Sequence, residues 1–151
     1  MKLPSIPIRL KAAGLASSAS LWTPNPSSRS QLSLTSFRIR GWWEIKGLAW
    51  SGRGKITRVD VSTDGGSSWT PAELQGPILS KSTVRFRHLW DWDGRETHIL
   101  SRAVDETGYV QPTVQQLWEA RGERTSYHHN HQRVWKVASD GAVTFGLGDL
   151  V

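Results

Sequence analysis

The sequence predicts an all-β fold: an immunoglobulin-like β-sandwich with a disordered N-terminal leader. From residue 41 onward, short runs rich in β-branched and aromatic residues are separated by Gly, Asp, Ser and Pro about every eight to twelve positions, the spacing of an antiparallel sandwich. In one run, Val59 and Val61 alternate with polar residues, so one face of that strand is apolar and the other faces solvent. The sequence shows neither a convincing amphipathic helix nor an internal repeat.

Seven segments are predicted as strands on this pattern. They lie near Trp42–Trp50, Lys55–Ser62, Ser68–Leu74, Thr83–Asp91, Thr97–Asp105, Gln115–Arg121 and Arg133–Ala138. In the fourth strand, Val84, Phe86 and Trp90 share one face, while Arg85 and Arg87 share the other, as the two-residue period of a strand requires.

Three turns are predicted between these strands. Gly65 and Gly66 supply the positive φ that a tight hairpin requires. The runs 91–94 and 105–108 each begin with Asp and end with Gly, so an Asp side chain can bond to its own backbone while Gly takes a positive φ. These turns account for the carboxylate pairs Asp91/Asp93 and Asp105/Glu106 without a catalytic role.

The chain has nine tryptophans, which fit either a sandwich core or a binding surface. The strand alternation predicts burial of three of them and leaves three others for an interface. The predicted core residues are Trp50, Trp69 and Trp90, and the predicted interface residues are Trp92, Trp118 and Trp135.

Residues 1–36 form the predicted leader, and residues 41–145 form the domain. The leader has four of the seven prolines and nine serines, a composition that cannot bury a core. A signal peptide fits it poorly, because Pro4, Pro7, Arg9 and Lys11 stand where an uninterrupted apolar segment should be.

Charge and composition exclude several function classes. The net charge of +6 comes entirely from the first forty residues, and the remainder carries thirteen basic and thirteen acidic residues. A domain whose positive and negative charges balance has no extended positive surface to attract phosphates, so it is not expected to bind nucleic acid. The sequence contains no run of about 20 consecutive apolar residues, the length that a membrane-spanning helix needs. The absence of cysteine excludes disulfides, thiolate metal sites and a cysteine nucleophile.

The sequence contains no complete catalytic constellation. His128, His129 and His131 are the best candidates for a metal site, but no fourth ligand follows at a recognisable spacing. Surface or interface histidines that titrate near neutral pH explain the cluster more simply.

Three motifs carry a resemblance to a known family. They are the run 47–66 with Trp69, the run 102–112, and the tail of Tyr127, His128, Asn130 and 135–137. In this order they resemble the C-terminal dimerisation domain of sulfite-oxidase-type molybdenum-cofactor oxidoreductases, and are most similar to bacterial sulfane dehydrogenases. The similarity covers residues 41 to about 145.

The resemblance implies an immunoglobulin-like sandwich that forms a homodimer and packs against a separate cofactor domain. In the family, that upstream domain holds molybdenum through a pterin dithiolene and one cysteine, so this chain alone is expected to bind no cofactor. The parent enzymes oxidise sulfur compounds, pass electrons to a c-type cytochrome subunit and are exported to the periplasm. We therefore expect a fragment that lacks the molybdopterin domain and is inactive alone.

The resemblance names contact residues but no catalytic residue in this chain. Some relatives place a substrate-side arginine in a Trp-His-Arg-Val run, where this sequence has Trp135, Lys136 and Val137. Candidate contacts with the substrate pocket or the cofactor domain are Arg121, His128, Asn130, Arg133, Trp135 and Lys136.

Two further hypotheses remain open at this stage. The codons of Leu21–Arg29, read one base earlier, permit the stretch Met-Asp-Ala-Lys-Ser-Val-Ile-Thr that relatives carry just before this domain. The leader would then be an out-of-frame translation. Alternatively, the chain is a freestanding immunoglobulin-like module that binds glycans or another protein through exposed aromatics such as Trp92 or Trp118.

Overall fold

The computed structural model is a sandwich of two five-stranded sheets, and it describes residues 40–122 and 130–146 together with the strands at 5–7 and 15–19. In chain order the elements are β1 Ser5–Pro7, β2 Leu15–Ala19, β3 Gly41–Ser51, β4 Ile56–Ser62, β5 Thr70–Pro71, β6 Glu73–Gln75, β7 Val84–Trp92, β8 Thr97–Asp105, α1 Val114–Arg121, β9 Arg133–Val137 and β10 Val143–Gly146. The predicted fold class is confirmed.

Sheet A has the order β1-β3-β7-β6, and β2 also pairs with β3. The antiparallel β3–β7 ladder runs without interruption from Gly41 opposite Trp92 to Ala49 opposite Val84. The other edge of β3 is covered by β1, which is parallel to it, and by β2, which is antiparallel. The leader, expected to lack regular structure, therefore contributes two short strands at 5–7 and 15–19.

Sheet B has the order β10-β9-β8-β4-β5. In this sheet, Asp60 of β4 stands opposite Arg102 of β8, and Leu100 of β8 stands opposite Val134 of β9. The sequence did not predict β10, which pairs with β9 and places Phe145 opposite Trp135. The predicted strand 68–74 is divided into β5, which pairs with β4 in sheet B, and β6, which pairs with β7 in sheet A.

The core lies between the sheets, and three indole rings pack together at one end of the β3–β7 ladder. Trp43 and Trp92 meet edge to face with their ring centroids 4.7 Å apart, and Trp90 packs against both. The prediction that Trp92 is available for an interface is wrong, because its side chain is only 1% exposed and Nε1 donates to the Arg95 carbonyl at 2.8 Å. Trp50 and Trp69, predicted as core residues, are half-buried.

The segment predicted as a sixth strand, Gln115–Arg121, is helical. Helix α1 begins after Thr113, whose hydroxyl accepts from the Gln116 amide while the Gln116 side chain accepts from the Thr113 amide. This capping box satisfies backbone donors at the helix start, and Leu117 is the buried residue of the helix. The helix crosses from β8 towards β9.

The predicted turns are present. Gly65 and Gly66 have φ of 75° and 96°, and Gly94 and Gly108 both have φ of 81°. Asp93 accepts from the Arg95 amide at 2.9 Å, which closes the turn between β7 and β8.

Candidate functional site

Strand β9 brings two of the predicted contact residues to one place. Trp135 packs edge to face on Phe145 with ring centroids 5.1 Å apart, and the Arg133 guanidinium lies 5.6 Å from the same ring. Burial lowers the pKa of Arg133 from its usual value. Since arginine keeps its charge in proteins, this arrangement holds a cation beside two aromatic rings at the edge of the sandwich.

The other predicted contact residues lie elsewhere. Lys136 follows Trp135 on the strand, so it faces the opposite side, where its Nζ pairs with Glu96 at 2.9 Å. Arg121 is exposed in the last turn of α1. His128 lies outside the described residues. The six residues therefore do not form a single cluster among those described.

Asn130 begins a buried polar segment that fixes the start of β9. Gln111 Nε2 donates to the His131 carbonyl at 3.0 Å, and Gln132 Nε2 donates to the Gln111 carbonyl at 2.9 Å. Asn130 is buried, and its Oδ1 has no hydrogen-bond partner among the described residues. The network ties the segment 130–132 to the turn after β8, so the direction of β9 is fixed by hydrogen bonds as well as by its ladder.

A cleft of about 350 Å³ lies on the outer face of sheet B, and the sequence analysis did not identify it. Its lining residues are Gly65, Gly66, Trp69, Leu100, Arg102, Thr113, Val114, Gln132 and Val134. Leu100, Arg102 and Val134 belong to the sheet. The hairpin before β5 and the start of α1 contribute residues on either side.

Arg102 is held in this cleft by two contacts. Its Nε donates to Asp60 Oδ2 at 3.1 Å, and its guanidinium stacks 4.2 Å from the centroid of the Trp69 ring. Asp60 is itself buried and also pairs with Arg58 at 3.1 Å. One carboxylate therefore serves two guanidinium groups.

Sequence reasoning missed the cleft because it assigned Trp69 to the core. The available signal was the outward position of Asp60 and Arg102 on strands predicted to lie in the same sandwich. Their pairing depends on the β4–β8 register, which joins residues 42 positions apart and which no local pattern specifies.

A second cavity, of about 300 Å³, lies between the hairpin 63–68 and the turn after β7. It is lined by Thr63, Asp64, Trp90, Asp91, Asp93, Arg95, Glu96 and Thr97. The Ser68 hydroxyl, the Ser68 amide and the Ser62 hydroxyl lower the pKa of Asp64 to about 2. The Asp64 oxygens are therefore already committed to the hairpin.

The outer face of sheet A carries two large exposed apolar side chains. Trp42 is 55% exposed and Leu89 is 53% exposed. They are diagonal neighbours, because Glu44 stands opposite Leu89 and Trp42 stands opposite Asp91. Trp42 therefore has the exposure expected of an interface tryptophan. It was not among the three tryptophans predicted for an interface.

Among the described residues, no group of three or more histidine and acidic side chains converges at one point, and the chain has no cysteine. Within the described ranges, no helix is both long and apolar enough to cross a membrane.

Residues 19–134 match the model of a family described as the Mo-co oxidoreductase dimerisation domain, so the match begins within the segment assigned to the leader. Mitochondrial sulfite oxidase of Mus musculus is 38% identical over 99 residues, which is 60% of this chain and 18% of that protein. The NADH nitrate reductase of Hordeum vulgare is 33% identical over 107 residues, which is 64% of this chain and 12% of that protein.

Among solved structures, the chain resembles the sulfane dehydrogenase SoxCD from Paracoccus pantotrophus. The TM-score is 0.71 at 43% identity, and the alignment covers 87% of this chain and 35% of that chain. The chain thus spans about a fifth of the length of the sulfite oxidase it matches.

Proposed function

Because this chain belongs to the Mo-co oxidoreductase dimerisation domain family, we propose that it joins two copies of a molybdenum-dependent enzyme that oxidises a sulfur compound. The supporting observation is the match over residues 19–134, together with 43% identity to the SoxCD chain. Catalysis would depend on a separate molybdenum-cofactor domain, because this chain has no cysteine to bind the metal. A c-type cytochrome partner and a periplasmic location are parts of the same proposal.

We place the self-association surface on the outer face of sheet A. Along β7, the exposed side chains on this face change from Arg85 and Arg87 through Leu89 to Asp91. A two-fold axis that lies in the interface above Leu89, parallel to the sheet and perpendicular to β7, would bring Arg87 opposite Asp91 of the partner subunit. The apolar centre suits a closed dimer, in which the same patch meets itself. Arg87 already pairs with Glu73, so Asp91 of the partner subunit would share this guanidinium.

Self-association is tested by sedimentation of the full chain at increasing concentration, with Leu89→Asp as the disruptive variant. The matched control is Leu79→Asp, because Leu79 is 58% exposed but lies in the loop between β6 and β7. We expect the wild type and the control to approach twice 16.9 kDa. Leu89→Asp should weaken association at least about tenfold, because a carboxylate would be buried without a partner at the axis.

Two results would count against these assignments. A wild-type chain that stays at 16.9 kDa up to about 500 μM, where even weak dimers populate, would contradict dimerisation by this chain. Equal dimerisation of Leu89→Asp and wild type would leave the dimer intact and reject the sheet A surface.

The cluster of Arg133, Trp135 and Phe145, called the β9 cluster, is our candidate for contact with the cofactor domain. Arg133 and Trp135 are half-buried beside Phe145 at the sandwich edge, and the buried Asn130 begins the segment before them. Lys136 and Arg121 would contact that domain from neighbouring surfaces. His128 is proposed as a further contact on the basis of the family resemblance alone. The purified chain alone should not oxidise sulfite, and sulfite oxidation by it would contradict this division of roles.

The alternative of a glycan-binding module receives less support from the structure. Trp92, one of its two proposed platform residues, is buried and hydrogen-bonded. Trp118 on α1 is half-buried.

A further inference from the structure

The cleft on the outer face of sheet B has the properties of a small-ligand site. Its volume of about 350 Å³ falls within the range typical of ligand pockets and corresponds to about a dozen water molecules. Among the lining residues that the structure describes, Arg102 is the only one with a charged side chain. The cleft is therefore cationic, in contrast to the cavity that Asp64, Asp91, Asp93 and Glu96 line.

Arg102 is positioned for an external partner. Asp60 engages Nε, and Trp69 covers one face of the guanidinium, but neither Nη has a hydrogen bond to any residue that the structure describes. Because Arg58 pairs with the other oxygen of Asp60, this three-residue cluster keeps one net positive charge. A fixed guanidinium fork with two free Nη groups matches the two oxygens of a carboxylate.

The remaining lining defines the rest of the ligand. Leu100, Val114 and Val134 provide apolar surface beside the Trp69 ring. Gln132 is 8% exposed and its Nε2 is occupied by the Gln111 carbonyl, while its Oε1 makes no hydrogen bond with the described residues. A compact ligand with a carboxylate at one end and an apolar body at the other fits this arrangement.

We propose that the cleft between Trp69 and the start of α1 binds a small organic carboxylate through Arg102. The carboxylate pairs with the free Nη groups of Arg102. The apolar body packs on Trp69, Val114 and Val134. This site is on sheet B and is separate from the dimer surface assigned to sheet A, so the two proposals succeed or fail independently.

Calorimetric titration of the full chain with benzoate at pH 7 tests this site. The comparison ligands are benzamide, a neutral molecule of the same shape, and sulfate, an anion without an apolar body. We expect saturable one-to-one binding of benzoate and at least about tenfold weaker binding of both comparison ligands, because only benzoate offers both features.

Three variants relate the binding to the cleft. Arg102→Gln removes the fork and should weaken benzoate binding about tenfold, and Val114→Phe should weaken it similarly by filling the cleft. Arg95→Gln is the control, because Arg95 is exposed in the other cavity, and it should bind benzoate like the wild type. Circular dichroism verifies folding. If Arg102→Gln does not fold, Val114→Phe decides, since it leaves the Asp60–Arg102 pair intact.

The proposal is overturned if benzoate shows no saturable binding up to about 10 mM, which is the limit of weak affinity. It is also overturned if benzoate and benzamide bind with equal affinity. Unchanged benzoate binding in folded Arg102→Gln or Val114→Phe would overturn it too. Sulfate binding as tightly as benzoate would overturn the carboxylate assignment.

Discussion

At the scale of single residues, Asp105 is the buried charge on which a whole turn depends. Burial, the largest influence, raises its pKa, but hydrogen bonds from Thr107, Ser51 and Tyr109 together hold the pKa below its ordinary value. The Ser51 hydroxyl donates to Oδ2 at 2.7 Å, and the Thr107 amide donates to Oδ1 at 2.9 Å. These bonds connect the end of β3 to the end of β8.

Asp105→Ala should lower the free energy of unfolding by about 3 kcal/mol, because several buried donors lose their acceptor. Urea unfolding of the full chain measures this loss. Asp140→Asn is the control, because its Oδ1 accepts from the Ala142 amide and the substitution keeps that acceptor. It should change stability by less than about 0.5 kcal/mol, and an equal loss in both variants would contradict the role of Asp105.

Asp64 provides a measurable pH dependence. Its pKa is about 2 against an ordinary value of 3.8, so its contribution to stability is complete above about pH 4 and is lost as the pH falls through about 2. Ser68→Ala removes the largest cause of the shift and should raise the pKa of Asp64 towards 3.8. Carboxyl NMR titration measures it, and an unchanged pKa would show that the Ser68 hydroxyl is not the cause.

At the scale of elements, α1 shows where sequence reasoning reached its limit. The capping box of Thr113 and Gln116 was present in the sequence, and Leu117 follows at a position suited to burial. The segment was predicted as a strand because it belongs to a series of short runs separated by turn residues about every eight to twelve positions. The hydrophobic pattern of only eight residues does not distinguish a helix from a strand.

Thr113→Ala should destabilise α1 by about 1 kcal/mol, since the Gln116 amide loses its cap. The exchange rate of the Leu117 amide, which donates to the Thr113 carbonyl, reports this change. Thr113→Ser keeps the hydroxyl and should exchange like the wild type. Equal acceleration in the two variants would contradict a capping role.

The strands were more predictable, because alternation follows directly from the pleat. The alternation that places Val84, Phe86 and Trp90 inward also applies to Trp92, which was misassigned because the strand was expected to end at Asp91. The short strand β10 was missed, and with it Phe145, which completes the β9 cluster. The cleft at Arg102 depends on long-range register and was outside the reach of local patterns.

At the scale of the whole molecule, the buried core residues lie between Trp43 and Val137 among the residues whose burial the structure describes. We propose that residues 1–36 form a segment separate from the domain, that the pairing of β1 and β2 with β3 is not required for folding, and that a chain beginning at residue 37 folds. This truncated chain should unfold cooperatively, as measured by circular dichroism on heating. Loss of a cooperative transition would show that β1 and β2 are required for folding. The frame hypothesis for the leader is tested separately by sequencing the gene upstream and translating every forward frame.

The two ladders at the centre of the sandwich also have a kinetic consequence. Asp60 meets Arg102 across 42 positions of the chain, and Gly41 meets Trp92 across a similar distance. Neither ladder can form until a long loop has closed, so little of the native contact energy is available early in folding. We expect refolding from urea in milliseconds to seconds, the range of sandwiches with distant strand pairings, and not in the microseconds of helical bundles. During synthesis, sheet B cannot be completed until Val143–Gly146 has emerged from the ribosome, because β10 pairs with β9 at its edge.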